Sequence, residues 1–133
     1  MSKMKSLALV LALIVSALPV GQASAAIPVV VYGGPDDGLS LRLLDAIRQA
    51  LTASPRFALT NKGEANTLAI SLKANVTPID RGARRLMSYT VQFVLLPARV
   101  LGTNEGICLQ DEPADCADQV LKSAQVNWAI NQP

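Results

Sequence analysis

The chain contains no histidine. That removes the usual general base at neutral pH, the Ser-His-Asp and Cys-His arrangements of nucleophilic catalysis, and most catalytic zinc sites. Aromatic residues make up 4% of the sequence, too few for the stacking platforms that hold single-stranded nucleic acid. The glycine-rich stretch Gly33–Gly38 (GGPDDG) lacks the Gly-Lys-Ser/Thr ending of a phosphate loop, so nothing in it would grip a nucleotide. There is no internal repeat, low-complexity segment or linker. No cofactor is expected.

Cysteine is scarce as well. The two present, Cys108 and Cys116, are separated by LQDEPAD, a longer spacer than the C-x-x-C of a redox pair. Two cysteines without histidine also fall short of the four ligands of structural zinc. In an exported protein an even pair reads as a disulfide staple. Closing so short a loop stabilises the fold by about 2.5 kcal/mol in the chain-entropy description.

One long apolar run is present, at the amino terminus. Lys3 and Lys5 precede the run Leu7–Leu18, Pro19 and Gly21 break it, and Ala23-Ser24-Ala25 supplies a small-residue cleavage site. Residues 1–25 therefore read as a secretory signal peptide. The run is shorter than the ~20 residues of a bilayer-spanning helix, so no membrane span is expected after cleavage. No cysteine lies at the cleavage site to accept a lipid and no Arg-Arg pair precedes the run, which points to the general secretion route and a periplasmic protein. Removing Lys3 and Lys5 from the 12 basic residues leaves as many as the 10 acidic ones. A neutral mature chain offers no basic face for nucleic acid. Residues 26–133 are expected to form a single domain with a modest core.

The central stretch Thr67–Leu96 reads as two strands and a turn. Leu68, Ile70, Leu72, Ala74 and Val76 alternate with Thr67, Ala69, Ser71, Lys73 and Asn75. After the turn Thr77–Arg84 (TPIDRGAR), Met87, Tyr89, Val91, Phe93 and Leu95 alternate with Ser88, Thr90, Gln92 and Val94. A period of two puts one face on a core and the other in water. Before this hairpin, Ile27–Tyr32 predicts a buried strand. A helix over Leu39–Ala53 is predicted from its stripe of Leu43, Leu44, Ile47 and Leu51, with Asp36 or Asp37 as its cap. Arg56–Thr60 predicts a short extended piece. After the hairpin, Arg99–Leu101 and Ile107–Leu109 are weak strand candidates around Gly102–Gly106, which has hairpin-turn chemistry. A last helix is predicted from about Ala114 to Ile130. Strand, helix, strands, helix gives an α+β two-layer sandwich, a mixed four- to five-stranded sheet with two helices on one face.

The pattern Leu44, Ile47, Leu51, Ser54, Phe57, Glu64, Ala65, Asn66, Leu68 and Ile70 resembles exported bacterial envelope domains, in particular the amino-terminal domain of the Tol–Pal protein TolB and small periplasmic domains of lipoproteins that assist envelope assembly. The resemblance implies protein–protein contact at the envelope and no catalysis. It covers about a third of the chain and carries fold more than function. Neither a following β-propeller nor a lipid anchor is expected, and the cysteine pair departs from the TolB pattern.

The acidic residues have structural explanations. Asp36 and Asp37 suit a helix cap, and Asp111, Glu112, Asp115 and Asp118 suit a solvated loop and a helix first turn rather than a calcium loop, whose spacing they lack. Arg81, Arg84 and Arg85, expected on an exposed hairpin tip, could bind carboxylate or phosphate. The polar strand face with Thr67, Ala69, Ser71, Lys73, Ser88, Thr90 and Gln92 is expected to be open to a partner. The sequence thus points to a non-catalytic periplasmic binding or assembly module with an envelope protein as partner. The alternative is a small periplasmic enzyme or enzyme inhibitor whose site carries no recognisable motif.

Overall fold

The computed structural model describes residues 25–132; all of the expected signal peptide except Ala25 lies outside the described residues. The fold is α+β: strand β1 (Ile27–Gly33), helix α1 (Gly38–Ala53), strands β2 (Phe57–Leu59), β3 (Leu68–Leu72), β4 (Thr77–Arg81), β5 (Arg84–Leu95) and β6 (Arg99–Leu109), and helix α2 (Pro113–Ile130).

β1 lies between β2 and β3 and runs parallel to both. β3 and β4 pair antiparallel with opposite ends of β5, Leu68–Leu72 against Val91–Leu95 and Thr77–Arg81 against Arg84–Ser88. They are therefore two segments in line along one edge of β5. β6 occupies the other edge of β5 over its whole length, from Leu86↔Leu109 to Leu95↔Arg99, with a bulge at Phe93/Val94. The turn between β5 and β6 contains a cis Leu96–Pro97 bond.

Both helices cover one face of the sheet. Val29 and Val31 of β1, Leu68, Ile70 and Leu72 of β3, and Met87, Tyr89, Val91 and Phe93 of β5 alternate onto this face. They share a single core with Leu43, Leu44, Ile47 and Leu51 of α1 and Cys116, Ala117, Val120, Leu121 and Ala124 of α2. The strand period of two and the helix stripe meet there as the sequence requires.

The opposite face is covered only in part. A right-handed β1–α1–β2 unit puts α1 on the helix face, so the return from β2 to β3 crosses β1 on the other side. Residues 60–66 make that crossing, and a Cβ at Gly63 would meet the Tyr32 hydroxyl at 2.5 Å. Val30, Thr67 and Ala69, which point to this face, are accordingly buried.

Three sequence expectations are corrected. The strand beginning at Thr67 stops at Leu72, because residues 73–76 turn toward α1. There Val76 is buried and its N–H donates to Ser40 Oγ at 2.9 Å. The expected turn Thr77–Arg84 is mostly strand: β4 pairs with β5 to the two-residue loop Gly82-Ala83, where Gly82 has φ +62°, a conformation that glycine adopts without a Cβ clash. Gly102–Gly106 is not a hairpin turn but the middle of β6.

Asp37 caps α1, its Oδ2 accepting the Ser40 N–H at 3.2 Å. Hydrogen bonding from Ser40 holds this carboxyl below its ordinary pKa. A depressed folded-state pKa means that the ionised carboxylate stabilises the fold above the unfolded value, about 4, and that this contribution is lost as pH falls through the lower folded value. Asp37→Asn keeps an acceptor at the cap without the charge. Its urea midpoint is expected to fall less steeply than the wild type's between pH 5 and pH 2; parallel profiles would contradict the assignment.

Candidate functional site

β6 is an edge strand, because among the described residues it pairs with β5 alone. Gln110 N–H donates to Arg85 O at 2.9 Å. That fixes the antiparallel alternation: Cys108, Gly106, Asn104 and Gly102 direct their backbone groups toward β5, and Leu109, Ile107, Glu105 and Thr103 direct theirs away. The end of β6 is pinned by the buried Gln110, whose Nε2 donates to Leu86 O at 2.8 Å.

Side chains on β6 divide by face. Gly102, Asn104, Gly106 and Cys108 lie opposite Phe93, Val91, Tyr89 and Met87 on the helix face. The glycines let α2 approach: a Cβ at Gly102 would strike Asn127 Oδ1, and one at Gly106 would meet Tyr89 Oη at 2.6 Å and Gln119 Oε1. Tyr89 Oη donates to Asn104 Oδ1 at 2.6 Å and lies 3.3 Å from Gln119 Oε1. Burial pushes the Tyr89 hydroxyl up to about 12, so it stays protonated and structural. On the other face Thr103, Glu105, Ile107 and Leu109 lie opposite Gln92, Thr90, Ser88 and Leu86. Among the described residues no helix covers this half of the sheet.

The sequence-derived site residues are distributed around this surface. Thr90 is exposed on β5 directly beside Glu105. Lys73 is exposed but lies beyond the end of β3, in the bend toward α1. Arg81 and Arg84 face one another across the Gly82-Ala83 loop, on the same face as Thr90. Arg85 pairs with Asp80 on the opposite face and lines a shallow depression with Asp37 and Arg42. The three guanidinium groups are all exposed but do not form one cluster. Thr67 and Ala69 are buried, so the open face is narrower on its β3 side than the polar pattern implies. Cys108 and Cys116 form the disulfide, Cα–Cα 5.7 Å, joining the end of β6 to the first turn of α2. Among the described residues no three or more metal-ligating side chains gather in one place, and no helix is long and apolar enough to cross a membrane.

The strand candidates Arg99–Leu101 and Ile107–Leu109 are the two ends of one continuous strand, β6, whose middle, with Glu105, the sequence pattern assigns to a turn. A signal was present: Gly102, Asn104, Gly106 and Cys108 are small or polar at a strict period of two, the spacing of a strand lying close beneath a helix.

No protein-family model matches the chain, and no curated protein sequence matches it. Among solved structures, the chain is similar to a minor lipoprotein from Acinetobacter baumannii, with 12% identity and a TM-score of 0.51 over 75% of this chain and 91% of that one. A hypothetical protein from Chlamydia trachomatis aligns with 8% identity and a TM-score of 0.40 over 63% of this chain and 72% of that one, too distant to carry an argument. The fold of this chain thus resembles that of a bacterial minor lipoprotein.

Proposed function

We propose that the chain is a non-catalytic binding module of the bacterial envelope, located in the periplasm and working through protein–protein contact. The observation that carries this reading is the eleven-residue edge strand β6 beside a sheet face that no helix among the described residues covers. An edge of this kind presents unpaired backbone donors and acceptors that a partner can complete. The disulfide supports an oxidising compartment, and the lipoprotein-like fold agrees with an envelope setting. The sequence resemblance of residues 44–70 to TolB's amino-terminal domain points the same way. The singled-out polar residues have structural roles: Asp37 caps, Tyr89 and Gln110 anchor β6.

Arg81 and Arg84 would steer an acidic region of the partner and make its on-rate salt-sensitive. The test is capture of a partner from envelope extract by the mature protein, its identification, and affinity measurement with purified components. Thr90→Arg fills the middle of the open face, and Arg81→Glu/Arg84→Glu reverses the tip. At least one of these variants is expected to weaken binding by tenfold or more with an unchanged melting temperature. Unchanged affinity in both would remove the face and the tip from the site. Turnover above background on a cell-wall substrate would overturn the non-catalytic reading.

A further inference from the structure

Four exposed apolar side chains gather along one side of the molecule. Val100 and Ile107 on β6 are 56% and 51% exposed, and Val126 and Ile130 on α2 are 56% and 73% exposed. Gln119, Val126 and Ile130 recur at i, i+7 and i+11 and so share one helix stripe. Gln119 locates that stripe, because its Nε2 reaches Ile107 O at 3.4 Å, a carbonyl directed away from β5. Val126 and Ile130 therefore overhang the free edge of β6 from the helix side, while Ile107 flanks it from the open face. The edge has apolar surface on both sides of an outward backbone that, apart from the long Gln119 bond to Ile107 O, pairs with no other strand among the described residues.

The other sheet edges differ. β2 is three residues long. β4 is five residues long and contains Pro78, Asp80 and Arg81, the proline and charges that blunt an edge. From Gly102 to Leu109 β6 has no proline and one charge, Glu105. Free backbone groups between two apolar flanks are completed by an extended polypeptide, and not by a lipid or a helix, which cannot supply a ladder.

Resting on the protein-binding reading above, we infer that the free edge of β6 accepts an extended segment of another protein, aliphatic at alternate positions and carrying a Lys or Arg opposite Glu105. On the open face the added strand meets Leu109 and Ile107 with aliphatic side chains and Glu105 with the base, which fixes the register. A second copy of this chain does not fit. In an antiparallel β6–β6 pairing that joins the outward backbone groups, Glu105 would face Thr103, Glu105, Ile107 or Leu109 of the other copy, and never a base. The incoming N–H replaces the long Gln119 bond to Ile107 O.

The test uses the oxidised mature chain and a displayed library of random ten-residue peptides. Selected sequences are expected to alternate aliphatic residues around one Lys or Arg, and the synthetic consensus peptide to bind the wild-type chain. Thr103→Pro removes one outward N–H and no bond to β5, so the fold and its circular dichroism are kept while peptide affinity falls at least tenfold. Glu105→Lys should weaken the basic peptide at least tenfold and restore binding to its Glu counterpart. Absence of any selected peptide, equal binding by both variants, or selection without the alternating pattern would overturn the inference. So would a concentration-dependent dimer abolished by Thr103→Pro, which would make the occupant a second copy. If the peptides fail while Thr90→Arg still blocks an envelope partner, only the edge assignment falls; if no partner is captured either, the binding-module reading falls with it.

Discussion

Replacing Phe93 by alanine should remove about 3–5 kcal/mol of stability, the range for a fully buried aromatic. Phe93 has no exposed surface and sits in the middle of β5, between Ile70 of β3 and Gly102 of β6. Its glycine neighbour has no side chain with which to collapse into the vacated space, and Asn127 of α2 is held just above that glycine. The cavity would therefore stay open, toward the high end of the range. Domains of this size have roughly 5–15 kcal/mol in total, so the loss corresponds to a drop of roughly 15–30 °C in Tm. Phe93→Leu keeps most of the volume and should cost about 1–1.5 kcal/mol. Urea denaturation of both variants measures the difference; a loss below about 1 kcal/mol for Phe93→Ala would contradict the placement of Phe93 at the centre of the core.

The second large effect belongs to the disulfide. Cys108 and Cys116 are both buried. Between them the chain makes a tight turn, Glu112 N–H donating to Leu109 O at 3.0 Å, before α2 starts at Pro113. Glu112 makes no side-chain cap bond, so the start of α2 relies on Pro113 and on the covalent tie to β6. The double variant Cys108→Ser/Cys116→Ser is expected to lose about 2.5 kcal/mol from loop closure alone, a fall of roughly 10–20 °C in Tm. Two buried hydroxyls would add to that loss. Thermal unfolding with and without reductant checks it: the wild type in reductant should approach the double variant. A wild-type Tm indifferent to reductant would show that the tie does not hold the fold.

Much of this architecture could be read from residue patterns. The α1 stripe Leu43, Leu44, Ile47 and Leu51 and the cap at Asp37 are local signals, and local signals survive folding. So is the alternation of Met87, Tyr89, Val91 and Phe93, which needs no knowledge of the partner strand. The failures share a different cause. Thr77–Arg81 carries a proline and charges that suit a turn, yet it is a strand because β5 extends far enough to pair with it. Gly102–Gly106 has the composition of a loop, yet it is a strand because α2 lies so close that only small side chains fit beneath it. Thr67 and Ala69 alternate as if open to water, yet the crossing segment 60–66 buries them, a consequence of crossover handedness rather than of any residue. In each case a tertiary neighbour overrode the local preference. The candidate site suffered most, because its edge and half its apolar flank lie on β6, whose middle has the composition of a loop.

Amide hydrogen exchange along β6 tests the central claim most directly. In the free protein Gly102, Asn104, Gly106 and Cys108, whose N–H groups are bonded to β5, should exchange slowly, while Thr103, Glu105 and Ile107 exchange fast. Adding the captured partner should slow the second set and leave the first unchanged. Uniformly fast exchange from Gly102 to Gly106 would show a loop in place of the strand, and a partner that binds without protecting Thr103, Glu105 and Ile107 would contradict binding at this edge.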